Sequence, residues 1–183
     1  MPTGYQIYDG SGMYYLTFQI VQWADIFTRK RYRDIVCDSL NYCREHKGLR
    51  VHAYCIMSNH MHCILTAVNG NLSDVIRDCK AHTSRQMIQA VQQEPESRRK
   101  WLLMLFEYAA GGHNRNERYQ LWTHENHAVE LHSDAFFSQK LGYIHDNPVR
   151  AGWVLEGREW IYSSAADYVY DRQIGPVLVD RVY

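Results

Sequence analysis

The sequence predicts an α+β domain of the ferredoxin-like kind, an antiparallel sheet with helices packed on it. Three observations carry that expectation. Leu16, Phe18 and Ile20 alternate with Thr17 and Gln19, the period-two pattern of a half-buried strand. Two longer stretches, 28–46 and 71–93, set their apolar residues at helical spacing. Between them, 51–57 and 60–66 read as two strands joined at Ser58-Asn59. With a further strand at 119–123 the order is strand, helix, strand, strand, helix, strand, the split β-α-β arrangement in which the third strand lies inside the sheet.

Taken in order, residues 1–12 are small, polar and glycine-containing, and form a loosely held arm. The first strand, Tyr14 to Val21, is rich in aromatic and β-branched types. Thr28 can cap the first helix, which stops at Gly48 and buries Tyr32, Ile35, Val36, Leu40 and Cys43. Its basic first turn, Arg29-Lys30-Arg31 with Arg33, reads as a solvated face rather than a phosphate contact. Asn71 or Ser73 opens the second helix, with Val75, Ile76, Cys79, Met87, Ile88 and Val91 inward and Lys80, Ser84 and Arg85 along another stripe.

Residues 94–118 elaborate on a minimal domain. A helix over 96–110 carries Trp101, Leu102, Leu105, Phe106 and Tyr108, read as core rather than as a base-stacking platform, and a polar loop follows over 111–118. Ser133 caps a last clear helix from Phe136 to about Asn147, where Pro148 is expected to end or kink it. The tail, 154–183, holds a short helix near 164–170.

The chain of 183 residues fits one domain, 1–183. Its 46% hydrophobic and 22% charged residues describe a folded globule. Twenty basic and twenty acidic residues cancel, so any basic surface for nucleic acid must be local. Five cysteines without a C-x-x-C pair read as reduced, packed thiols. No apolar run approaches the ~18 residues of a membrane span, so a soluble cytoplasmic protein with no membrane partner is expected.

The chemistry concentrates in two stretches. In Ser58-Asn59-His60-Met61-His62-Cys63 the alternation of a strand puts His60 and His62 on one face and Met61 and Cys63 on the other. Two convergent imidazoles are a common pair of ligands for a divalent metal. The second stretch is Lys140 to Trp153. At ~100° per residue Phe137, Leu141 and Ile144 share one helix face, and Phe136, Lys140, Tyr143 and Asn147 share another. His124 and His127, three apart, read as structural or DNA-facing histidines rather than a second metal pair.

Together the two stretches resemble the HUH single-tyrosine transposases, a family of insertion-sequence transposases and REP-associated tyrosine transposases. The resemblance rests on Tyr54 to Leu65, with the His60-Met61-His62 motif, and on Tyr143-Ile144-His145-Asp146-Asn147-Pro148-Val149-Arg150. It implies that Tyr143 is the nucleophile and that His60, His62 and Asn147 bind a divalent metal, Mg²⁺ or Mn²⁺. It also implies metal-dependent nicking and strand transfer of single-stranded, hairpin-forming DNA through a covalent 5′-phosphotyrosine. A homodimer is compatible with the family. The 94–118 elaboration and the long tail depart from the minimal members and are more like the REP-associated group.

These residue types suit that chemistry. A phenol of pKa ~10 needs a nearby cation or proton acceptor to attack at neutral pH, and Lys140 shares its face. Three neutral ligands leave a metal's charge undiminished toward a phosphate. Lys80, Arg85, Lys140 and Arg150 are the candidate phosphate contacts. Two readings compete, a catalytically silent DNA- or RNA-binding protein on the same scaffold and a metal hydrolase using water. The second lacks an H-E-x-x-H, a G-x-S-x-G and clustered carboxylates.

Overall fold

The computed structural model describes residues 6–111 and 118–182. Nine strands and α-helices follow in order among these residues: β1 (Tyr14–Gln19), α1 (Lys30–Lys47), β2 (Leu49–Ile56), β3 (His60–Ala67), α2 (Leu72–Gln93), α3 (Arg99–Gly111), β4 (Val129–Glu130), α4 (Asp134–Arg150) and α5 (Ala165–Val169), with 3₁₀ turns at Val21–Trp23, Ile26–Thr28 and Gly157–Glu159 as connectors. The sheet runs β2-β3-β1-β4, and every pair is antiparallel. The strand bearing the histidine pair is therefore interior, flanked by β1 and β2.

Alternation sorts the sheet into two faces. Leu16 and Phe18 of β1, Met61, Cys63 and Leu65 of β3 and Tyr54 and Ile56 of β2 join the inner faces of α1 and α2 in the larger core. Tyr15, Ile64, Ala53 and Cys55 point the other way and pack with Phe137 and Ile144 of α4 in a smaller one. The site face is thus roofed by one helix, and the large core lies beneath it. All five cysteines are buried free thiols, as their scatter implied. No described helix is long and apolar enough to cross a membrane.

The free edge of β2 is covered by the C-terminal segment. Ile56 N–H donates to the Tyr162 carbonyl at 2.9 Å, Ser164 N–H to Tyr54 at 2.9 Å, and Asp180 N–H to Val51 at 2.8 Å. This pairing hides the edge that would otherwise recruit another strand.

Several expectations change. The stretch 119–123 is not a strand: it meets β1 only through the single bridge Ile20–Trp122, and the fourth strand is Val129–Glu130. A left-handed His127, φ 44°, breaks the run between them. Thr28 does not cap α1; its hydroxyl donates to Asp25 O at 2.9 Å, and Arg29 occupies the cap position without a side-chain bond. Leu102 and Phe106 of α3 are buried, but Trp101 is 43% exposed and Tyr108 75%, so the aromatic band is not one core face. Pro148 does not end α4, which continues to Arg150. It falls in the last turn, where Ala151 N–H reaches Asn147 O, and Asn147 Nδ2 adds a 2.9 Å bond to Tyr143 O just before the proline. Most of the polar loop, 112–117, and the start of the arm, 1–5, lie outside the described residues.

Candidate active site

The antiparallel register sets Thr17 opposite His62 and Gln19 opposite His60, with Cys55 on the other side of His62. Both imidazoles face α4, their ring centroids 4.7 Å apart. Each ring is held through Nδ1. His60 Nδ1 lies 2.7 Å from Asn59 Oδ1, an acceptor, so it carries the proton and Nε2 keeps the lone pair. His62 Nδ1 lies 2.8 Å from Tyr15 Oη and 2.9 Å from Thr17 Oγ1. Either hydroxyl can accept from Nδ1–H, and in that tautomer His62 also offers Nε2, the arrangement in which outer partners orient a metal-ligating histidine.

Burial holds both rings in the neutral, ligating form. It pushes His62 down to about 3, with His60 and Lys140 adding to the effect, and pushes His60 down as well. Burial also raises the Tyr15 phenol to about 12, so it remains protonated beside His62.

Helix α4 delivers the rest. Ser133 Oγ accepts from Phe136 N–H and fixes the first turn, while Phe137 and Ile144 anchor the helix on the sheet. Tyr143, next to Ile144, is set at the margin, 39% exposed. Its ring centroid is 5.5 Å from that of His62 and 6.2 Å from that of Tyr15, both edge-on. Two cations bracket it: Lys140 Nζ is 5.9 Å and Arg150 Cζ 5.2 Å from the ring centre. Lys140 Nζ also sits 4.6 Å over Tyr15. Asn147 lies one turn beyond, its Nδ2 bound to the Tyr143 carbonyl, with Oδ1 as the atom that could ligate.

Nucleophile candidate, histidine pair and two cations are therefore brought together within one chain. The other two basic candidates are not. Lys80 is on α2, which packs on the opposite face; its Nζ donates to Thr123 O at 2.6 Å and Asn126 Oδ1 at 2.8 Å, and burial lowers it to about 8. It pins the connector between α3 and β4 rather than facing outward. Arg85 is exposed and lines a groove of about 730 Å³ between α1 and α2.

The sequence reading missed Tyr15, Thr17 and Asn59. Their signal was present, since Tyr15 and Thr17 share the polar parity of β1 and Asn59 adjoins His60. His124 and His127 line a separate cavity of about 470 Å³ with Gln19 and Gln22. Among the described residues no three His, Cys, Asp or Glu side chains gather as a metal cluster. The residues that could hold a cation here are His60 and His62, whose rings are neighbours, and Asn147, whose amide is fixed by its bond to the Tyr143 carbonyl. The two lone pairs presented by neutral rings fit that role.

Residues 12–131 match the family model described as transposase, IS200 like. The chain belongs to the IS200-like transposase family. The matched span contains the sheet and the histidine pair and ends before Tyr143. This IS200-like transposase also resembles a solved REP-associated tyrosine transposase, described as bound to a REP hairpin. The TM-score is 0.67 at 16% identity, over 93% of this chain and 86% of that one. A crystal structure of a protein assigned as a transposase from Deinococcus radiodurans R1 aligns with a TM-score of 0.46 at 18% identity, over 80% of this chain and 95% of that one. At 16% identity the first likeness is one of fold, and it agrees with the α+β antiparallel architecture. No curated protein matches the chain.

Proposed function

We propose that this IS200-like transposase nicks and rejoins single-stranded DNA through Tyr143, with a divalent metal, Mg²⁺ or Mn²⁺, at His60, His62 and Asn147. The observation that carries the reading is the 5.5 Å approach of the Tyr143 and His62 rings inside one chain. A separation of that order lets one phosphate touch both the phenol and a cation on the imidazoles.

The bound metal would polarise the scissile phosphate and offset charge growing on its oxygens. Tyr143 Oη attacks phosphorus, the bond to the 3′ oxygen breaks, and that oxygen leaves as a hydroxyl, giving a 5′-phosphotyrosine. The phenolic proton passes to solvent, and Lys140 and Arg150 favour the phenolate that remains. Tyr15 and Thr17 orient His62, and Asn59 orients His60. The linkage keeps the phosphodiester's energy, so a 3′ hydroxyl can reverse the step without ATP. A hairpin-forming strand is the proposed partner, supported by the REP hairpin named for the similar structure. A homodimer is compatible with this reading.

The test is a denaturing gel of the protein with labelled hairpin oligonucleotides from its own genomic flanks, in Mn²⁺ or EDTA. A shifted covalent band that needs metal, Tyr143 and His60 is expected. Cleavage that survives Tyr143→Phe would transfer the nucleophile's role to water, and binding without adduct would favour the silent binding protein.

A further inference from the structure

The turn that leads from β1 toward α1 carries an indole that the core does not use. Gln22 and Trp23 have φ of 53° and 55°, two successive non-glycine residues in the left-handed region. For a bulky L-residue that conformation is sterically unfavourable. Val21, Ala24 and Ile26 around them are buried in the large core, yet Trp23 belongs to neither core cluster and is 64% exposed. A glycine would hold the same backbone without strain. What glycine lacks is the ring.

The turn is also fastened to the candidate site. Ile20 N–H donates to Asn59 O at 2.9 Å and Phe27 N–H to Ser58 O at 2.9 Å. Asn59 Nδ2 donates to the Trp23 carbonyl at 3.3 Å, while Asn59 Oδ1 accepts from His60 Nδ1 at 2.7 Å. One amide thus spans Trp23 and a histidine of the metal pair. Gln22, just before the indole, lines the cavity of about 470 Å³ together with Gln19, the cross-strand partner of His60. Strained backbone persists where its surroundings over-determine it, and here three hydrogen bonds to the β2–β3 turn do so.

Resting on the reading of this site as one for single-stranded DNA, we infer that Trp23 is a stacking platform for one unpaired nucleobase beside the phosphate held at His60 and His62. Every base has a π-face, and an exposed indole is the side chain best suited to hold one flat whatever its identity. The rigid turn fixes where that base lies, and Asn59 ties this position to His60. The platform therefore sets the strand's register against Tyr143 rather than reading its sequence.

The experiment uses the same hairpin oligonucleotides with an abasic site moved one position at a time along the unpaired flanks. Binding by anisotropy and adduct yield are measured for the wild type, Trp23→Phe, Trp23→Ala and Trp23→Gly, each with its melting temperature. In the wild type one abasic position should weaken binding about tenfold, the scale of a single base–aromatic stack. Trp23→Ala should lose a similar factor on intact DNA and be indifferent to that abasic position, whereas Trp23→Phe keeps most of the affinity. Trp23→Gly should melt at or above the wild type while binding as weakly as Trp23→Ala. Lower melting with unchanged DNA affinity would make the indole structural and overturn the proposal, as would equal binding by all four proteins. Adduct formation in which Trp23→Ala and every abasic position act additively would overturn the platform and leave Tyr143 chemistry standing. A wild type that neither binds nor links to any of the oligonucleotides would overturn both.

Discussion

Tyr15 Oη lies 2.8 Å from His62 Nδ1, reaching across the β1–β3 pair to the back of a proposed metal ligand. Losing such an outer partner typically costs 10–100-fold in metal affinity. Tyr15→Phe should therefore shift the Mn²⁺ dependence of adduct formation upward by about tenfold, with the rate recovering at saturating metal. Thr17 Oγ1, 2.9 Å from the same nitrogen, partly substitutes, so Tyr15→Phe with Thr17→Val should cost more than either alone. Unchanged metal dependence in the double variant would remove both residues from the site's function.

Lys140 places its ammonium 5.9 Å from the Tyr143 ring centre and 4.6 Å from that of Tyr15. If it stabilises phenolate and phosphoryl charge, Lys140→Gln should lower single-turnover cleavage by roughly 10²-fold, the scale for one lost electrostatic donor. Hairpin binding should fall far less, by the loss of about one phosphate contact. A parallel fall in binding and rate would instead make Lys140 a DNA contact alone.

How far the sequence disclosed this arrangement follows from what sequence can encode locally. Periodicity found β1, α1, the β2–β3 pair, α2 and α4, and strand parity alone put His60 and His62 on one face. Cross-strand register is not local, so the meeting of Tyr15 and Thr17 with His62 became visible only in the sheet. Lys80 looked like a surface cation because its stripe on α2 is polar, yet the 123–126 connector folds over it. Trp101 and Tyr108 looked like core because hydrophobicity was counted without knowing which side of α3 packs on α2 and the Val21–Trp23 turn. Pro148 was read by its usual effect in a helix interior, but in a final turn it leaves only the Ile144 carbonyl without its usual donor.

Asp180 fastens the tail over β2. Its carboxylate binds Arg44 at 2.9 Å and Arg50 at 2.9 Å, its carbonyl lies 2.6 Å from His52 Nδ1, and its N–H meets Val51 O. Arg44 and Asp180 are both largely buried, so Asp180→Ala strands a cation and should cost about 1–3 kcal/mol. In a chain of this size that lowers Tm by roughly 2–10 °C. Glu107, whose pair with Arg118 lies in solvent on both sides, is the control, and Glu107→Ala should stay within about 0.5 kcal/mol. Equal effects of the two would mean that the tail's seat depends on backbone pairing alone.

Alkaline stability is set by the buried thiols. Burial pushes Cys37 up to about 12, with Asp34 and Asp38 adding to it, and pushes Cys55 to about 12 as well. The folded protein therefore keeps protons that the unfolded chain releases near pH ~8.5–9. Unfolding then releases protons, so each thiol's contribution is complete below that pH and is lost at up to about 1.4 kcal/mol per pH unit on the way to its folded value. Lys80, lowered to about 8, and Cys43, lowered by its hydrogen bond with Cys79, act in the opposite sense, but Cys37, Cys55, Cys63 and Cys79 are all raised and outnumber them. Between pH 9 and 10 Tyr15, Tyr32, Tyr54 and Tyr162, raised by burial too, add to the fall as pH approaches their unfolded value of ~10. Urea midpoints in that window should fall with pH, and Cys37→Ala, though less stable at neutral pH, should fall with a slope shallower by one thiol. An identical slope would show that Cys37 ionises with little penalty in the folded state, and that water reaches the α1 side of the core.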